Sequence, residues 1–492
     1  MRYICTRGGD CEAASRAILS GIAENGGLFA PSSLPHLSHS EIEALSALSY
    51  PERAACILDL LLNDFSHEEL LPMMQAAYSS FDTPAVAPVH ALNDSTHVLE
   101  LFHGPTLAFK DMALQVLPRL MTASGKKQNE THEIAILTAT SGDTGKAALA
   151  GFKDVDGTSV TVFYPLGGVS AMQEAQMVTS EGQNVHVIGV HGNFDDAQNG
   201  VKRLFTDPGF IAKMKEKGCV LSSANSINLG RLVPQVAYYM SACADLLSSG
   251  AINWEKGLVV SVPTGNFGDI LAAWYAMQMG APITKLICAS NANDVLTTFF
   301  KTGVYDRRLP LHKTISPSMD ILISSNLERY LYCLADEDCD QVNAWMNALK
   351  QDGVYDIGEE KLCKMQQTYF ADYADDNMTR AEIRRVYHEH DYVMDTHTAV
   401  ASHVLNTYRA ATQDDTPALI VSTASPYKFP CDVLSALGMK ETDAFKALET
   451  LEEVSGVAIP APIAQLKQMP RLHNNACDPA GMDEAILNVF KK

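Results

Sequence analysis

From Glu133 onward the chain alternates short apolar, β-prone runs with longer stretches of helical periodicity. The strand-like runs read EIAILTAT, SVTVFYPL, NVHVIGV, GLVVSVP, KLICAS and ALIVSTAS. Several carry apolar residues at both odd and even positions, as strands do when helices cover both faces, which predicts parallel sheets in an α/β protein. Residues 1–92 differ. Short helical patterns such as SEIEALSALSY dominate there, and the stretch closes on the proline-marked TPAVAPVH. That change predicts a separate N-terminal helical domain. Residues 351–395 are acidic and mostly helical in pattern, with DYADDN as a solvated face or turn, and receive no chemistry. No internal repeat or low-complexity tract interrupts the chain.

Composition narrows the function. A chain of 492 residues, 47% hydrophobic, exceeds one compact core, so two or three domains are expected. Asp and Glu number 58 against 37 Lys and Arg, a formal charge of −21 without a basic run, which disfavours nucleic acid and anionic membranes as partners. The 11 cysteines lack a CxxC pair or a zinc-like spacing and predict reduced thiols. The opening MRYICTRGGDCEAASRAI has no charged start followed by an apolar run, and no apolar segment is long enough to cross a bilayer; a cytoplasmic protein is expected. The glycosylation triplets at Asn93 and Asn377 then have no enzyme to meet.

In open α/β sheets ligands gather beyond the carboxyl ends of the strands. One such segment, VPTGNFGDILAAWYAMQMG, runs from a strand through a glycine-rich turn into a helical pattern. Gly265 and Gly268 would let the backbone turn and approach a ligand, and the free amides of the first helical turn would suit a phosphate. An ordinary strand-to-helix turn fits the segment equally well. The third glycine of a dinucleotide fingerprint is missing, so a single phosphate is favoured over a pyrophosphate. A second segment, ATSGDTGKAALAGF, clusters Ser141, Asp143 and Thr144 at another strand-to-helix junction, suited either to a small charged substrate or to capping by Ser141 or Asp143. It is not a nucleotide P-loop, which needs glycine at Thr140 and a hydroxyl at Ala147. A third, LFHGPTLAFKDMALQVLPRL, sets Lys110 in apolar company at the start of a helical run. Exposure is the usual lot of lysine, whereas burial at a helix start would favour the neutral amine and make it a better nucleophile.

Taken together, HGPTLAFKDMALQ, TSGDTGKAALAGF, SSANSINLGRLVPQVAYY, PTGNFGD and DTHTAV closely resemble the successive motifs of threonine synthases. The likeness spans almost the whole chain, including CTRGGDCEAASRAILSGIAENGGLFAP at its start. It implies a fold-type II pyridoxal-phosphate enzyme, similar to the tryptophan synthase β-subunit, with two α/β domains and an N-terminal helical domain. It also implies a carbon–oxygen lyase of threonine biosynthesis that turns O-phospho-L-homoserine and water into L-threonine and phosphate. By resemblance Lys110 bonds the cofactor and moves protons. Gly265, Asn266, Phe267 and Gly268 cradle its phosphate, Asp269 closes that segment, and Thr423 of VSTASPYKFP lies beside the pyridine nitrogen. A neutral hydroxyl there would temper the electron withdrawal of the ring. Ser141, Asp143 and Thr144 resemble the substrate loop. Ser226, Asn228 and Arg231 form a second substrate-facing segment, in which the planar fork of Arg231 suits the substrate phosphate or, equally, a surface carboxylate. The chain departs from the family at Ser425, where many relatives have histidine, and at Thr396, where they have proline, which leaves that wall and Lys428 without an assigned role.

The expected organisation is residues 1–92 as the N-terminal domain, 93–134 as the lysine segment of the large domain, 135–240 as a small mobile domain and 241–492 as the remainder of the large one. The site is expected between the last two. His388, His390, Asp391, Asp395, His397 and His403 include no HExxH motif, and DTHTAVASHV fits a helix capped by Asp395 or Thr396, so no metal site is assigned. No motif fixes an oligomeric state.

Overall fold

The computed structural model describes residues 2–140 and 142–490. Two sheets organise it. In the larger, six-stranded sheet the order is Tyr369–Tyr373, Ile283–Ser290, Leu258–Pro263, Ala418–Ser422, Thr96–Glu100 and Val89–Asn93. Neighbours are parallel except for the last pair, an antiparallel edge. The smaller, five-stranded sheet runs Asn475–Cys477, Val185–Val190, Thr158–Pro165, Glu133–Ala139 and Cys219–Ser222, parallel throughout. Strands Leu258–Pro263 and Thr158–Pro165 are buried at every residue, which is why both parities of their sequence are apolar.

Of the N-terminal helices, His67–Tyr78 packs on Tyr50–Leu61, and Tyr50–Leu61 packs in turn on Leu229–Ser248, a helix buried along most of its length. That helix also touches the helices starting at Lys110 and Gly268. A helix apolar on all sides belongs inside a protein, and here it ties the N-terminal layer to the segments of the site. Among the described residues no helix is long and apolar enough to cross a membrane.

The expected boundaries need correction. Helix Leu229–Ser248 packs with the N-terminal layer and the large domain, so the small domain's first segment ends near Ser222, not at 240. Its sheet is completed by Asn475–Cys477 from the chain's far end. Helix Met482–Val489 then buries Met482 and Ile486 beside Phe163, Ile188 and Leu204. Val89–Asn93, expected in the N-terminal domain, is the edge strand of the large sheet. Residues 351–395, read as mostly helical, contain Tyr369–Tyr373, which extends that sheet.

Candidate active site

Lys110 starts a short helix, Lys110–Leu114, and the loop before it is sewn to the end of the large sheet. Phe109 N donates to Thr423 O at 2.8 Å and Ser425 N to Leu107 O at 3.0 Å, across a bridge between Ala108 and Ala424. This pairing sets Thr423 and Lys110 side by side. The HGPT turn is locked by Asp111, which accepts from Thr106 N and Thr106 Oγ1 at 2.7 Å each. A Cβ on Gly104 would lie 2.5 Å from that of Asp111, so only glycine allows the approach.

The Lys110 side chain is 11% exposed, with Nζ 3.4 Å from Ser318 Oγ and 3.8 Å from Asp143 Oδ2. Burial holds its amine below the usual lysine value, against the pull of Asp143, and Lys428 and Arg231 lower it further. Asp143 begins the small-domain helix Asp143–Phe152, so the site lies between the two sheets' domains. Burial works against its charge, yet Lys428 and then Lys110 outweigh that and hold the carboxyl well below the usual range. Lys428 Nζ sits 2.9 Å from Asp143 Oδ1, a contact of charge more than of hydrogen-bond direction, and donates to Thr106 O at 2.9 Å. Lys428 therefore joins the two domains through Asp143. The Asp143 carboxylate holds both amines. Asp143 does not cap its helix by the route expected: Thr140 Oγ1 accepts from Gly142 N at 3.0 Å and Gly145 N at 2.9 Å. Ser141 lies outside the described residues. Thr144 is half-buried beside Asp143.

At the GNFG turn, the amides from Gly265 to Asp269 have no acceptor among the described residues. They precede or open the helix Gly268–Gln278, where the dipole favours an anion. The left-handed residue of the turn is Phe267, with φ 62°, not either glycine. Gly265 is required for a close approach instead, since its Cβ would lie 3.0 Å from Ser318 O. Sequence reasoning missed the segment that clamps this turn. Ser324 Oγ donates to Gly265 O at 2.6 Å, and Asn326 N and Nδ2 both donate to Asn266 O at 3.0 Å. Asp269 turns its carboxylate away to accept from Tyr238 and Tyr239 at 2.5 Å each, and burial pushes it up to about 6 against those bonds. Both bonds end on Oδ1; Oδ2 and the amide have no partner among the described residues. The unpaired amide cradle, a neighbouring amine of lowered basicity and the neutral Thr423 hydroxyl, which has no partner among the described residues, fit the phosphate, carbonyl and ring nitrogen of pyridoxal phosphate.

The second substrate segment divides. Asn228 caps helix Leu229–Ser248, accepting from Gly230 N at 2.8 Å and donating to Ile18 O at 3.0 Å and Ser223 O at 3.2 Å, so its side chain is fully engaged in structure. Ser226 Oγ meets Ser325 Oγ at 3.2 Å, which in turn meets Asn266 Oδ1 at 3.2 Å, placing it on the cofactor-loop side. Arg231 is 4% exposed, donates from Nη1 to Ala224 O at 2.9 Å, leaves Nε without a partner, and has no carboxylate within ion-pair distance among the described residues. Burial lowers its guanidinium to about 10. The surface carboxylate that could have claimed it is absent from its surroundings.

Comparison with known proteins accords with this geometry. Residues 2–78 match a family described as "Threonine synthase N terminus", 87–346 "Pyridoxal-phosphate dependent enzyme", and 398–469 "Threonine synthase, C-terminal". Threonine synthase-like 1 of Homo sapiens is 40% identical over 97% of this chain, which spans 65% of that relative's length. Threonine synthase of Pseudomonas aeruginosa is 36% identical, over 97% of this chain and 100% of its own. The crystal structure of pyridoxal-phosphate-bound threonine synthase from Brucella melitensis superposes with a TM-score of 0.89 at 35% identity, covering 100% of both chains.

Proposed function

Because the chain belongs to the threonine synthase family of pyridoxal-phosphate enzymes, we propose that it converts O-phospho-L-homoserine and water into L-threonine and phosphate in the cytoplasm, with Lys110 holding the cofactor. One observation carries the reading: two separate anion receivers converge on Lys110. The unpaired amides from Gly265 to Asp269 suit the cofactor phosphate, and the guanidinium of Arg231, which among the described residues has no carboxylate partner and leaves Nε free, suits a second phosphate, that of the substrate. An overall charge of −21 repels a phosphate ester, so a local cation must supply the attraction.

When bound, pyridoxal phosphate supplies an electron sink for charge that develops at the substrate α-carbon. Lys110, whose burial favours the neutral amine, removes the α-proton once the substrate amine has taken its place. The same amine moves protons at the β- and γ-carbons as phosphate leaves the γ-carbon and the oxygen of water bonds to the β-carbon. Lys428 holds Asp143, and Asp143 holds the amine within reach. Arg231 orients the leaving phosphate. Thr423 offers the ring nitrogen a neutral partner, and the small domain excludes water while the substrate is protonated and deprotonated.

Incubation with O-phospho-L-homoserine, followed by assay of phosphate, threonine and 2-oxobutyrate, tests the reading. Phosphate and threonine are expected in equal amounts. Phosphate accompanied by 2-oxobutyrate would mark a related eliminating lyase, and release of neither would mark a phospholigand-binding protein on the same fold.

A further inference from the structure

The helix Thr396–Thr412 is capped by Asp395, which is fully buried and accepts from Thr398 N at 3.1 Å and His397 N at 2.8 Å. Capping needs no more than that. Yet Asp395 Oδ2 also lies 2.8 Å from His397 Nδ1, which places an imidazole proton on Nδ1. Nε2 takes the backbone N–H of Ser318 at 3.2 Å, across 79 residues of chain. Ser318 is the residue whose hydroxyl reaches both Lys110 Nζ and Asp143 Oδ2, at 3.4 Å each, and whose carbonyl walls the Gly265 turn. The other side of the pair is fixed as well: Asp395 accepts from the Thr398 hydroxyl, and that hydroxyl meets Ser422 Oγ at 2.9 Å, one residue before Thr423. The imidazole is 3% exposed and packs on Phe429, and both its ring nitrogens are taken by protein groups, the Asp395 carboxylate and the Ser318 N–H.

We propose that His397, set in its Nδ1–H form by Asp395, is a positioning residue for Lys110. It anchors the Ser318 backbone, and the Ser318 hydroxyl in turn keeps the lysine amine facing the cofactor pocket. The physical reason is the tautomer: the Ser318 N–H can only donate, so Nε2 receives it and the ring proton sits on Nδ1, facing the Asp395 carboxylate. The inference rests on Lys110 being the cofactor lysine.

The test uses holoenzyme carrying His397→Leu, His397→Gln, Ser318→Ala, or His397→Leu with Ser318→Ala. Three quantities are read: kcat, KM, and the share of bound cofactor that borohydride traps on Lys110. His397→Leu is expected to lower kcat about tenfold, to leave KM nearly unchanged, and to reduce the trapped share. His397→Gln, whose Oε1 can receive the Ser318 amide, should recover most of both. In the Ser318→Ala background the added loss from His397→Leu should nearly vanish, because both act through one contact. Equal losses with and without Ser318 would overturn the proposal, as would wild-type kcat and trapping in His397→Leu. Should His397→Leu fail to fold, Ser318→Ala must still lower trapping and His397→Gln must still keep it; wild-type trapping in Ser318→Ala sinks the idea. Trapping of the wild-type protein on another lysine would instead refute the reading of Lys110, which separates the two failures.

Discussion

Replacing Lys110 with alanine is expected to lower turnover of O-phospho-L-homoserine by about 10²- to 10⁴-fold through lost proton transfer alone, with further loss from the missing covalent attachment. Cofactor should still bind, because the amides from Gly265 to Asp269 and the Thr423 hydroxyl are untouched. The fold should also persist, since Asp143 keeps Lys428 at 2.9 Å when its weaker partner at 3.8 Å is removed. Equilibrium dialysis of cofactor together with steady-state rates measures both halves. A variant that loses the cofactor but retains turnover at saturating cofactor would show that Lys110 anchors without catalysing.

Arg231→Met should reduce kcat/KM for the phosphorylated substrate by roughly tenfold to more than a hundredfold, the equivalent of about 1.5 to 3 kcal/mol for a charge-assisted hydrogen bond. The same change should leave the melting temperature unaltered or raise it, because a buried guanidinium without a carboxylate opposes folding and an apolar side chain of similar length does not. That pairing of outcomes is the signature of a binding arginine. An unphosphorylated analogue should bind with the same weak affinity before and after the substitution. Equal losses for both compounds would assign Arg231 to the substrate carboxylate or to the structure.

What the sequence made legible follows from how local each signal is. The strand-like runs between Glu133 and Ser425 all form strands, and each is parallel to its neighbours of that set, because burial on both faces leaves its mark on every residue of the run. Lys110, the GNFG turn and Thr423 were singled out by their motifs, and the bridge between Ala108 and Ala424 supplies the physical link between two of them. Long-range pairings carried no such mark. Asn475–Cys477 is a short, partly exposed edge strand whose partner lies almost 300 residues away, and a lone run of that length predicts nothing by periodicity. Tyr369–Tyr373 was hidden in acidic helical surroundings. At the turn, glycine signalled a close approach, and Gly265 makes room for Ser318, but no residue type signalled the left-handed backbone that Phe267 adopts. Asn228 and Asp269 resembled ligand contacts because they sit in the right segments; a helix cap engages the Asn228 side chain, and two tyrosines take Oδ1 of Asp269 while its Oδ2 has no partner among the described residues. Lys428 stood in a motif but without a legible role, and Ser318 left no signal at all, since a buried ion pair and a backbone anchor are set by elements distant in the chain.

The most direct test of the account is a peptide map of the purified holoenzyme after borohydride reduction. The pyridoxyl group is expected on the peptide containing Lys110, with near-complete occupancy and no second site. The competing amines are Lys428, 2.9 Å from the same Asp143 carboxylate, and Lys146, largely buried near Asp111. A label on either of them, with Lys110 unmodified, would contradict the assignment of the site.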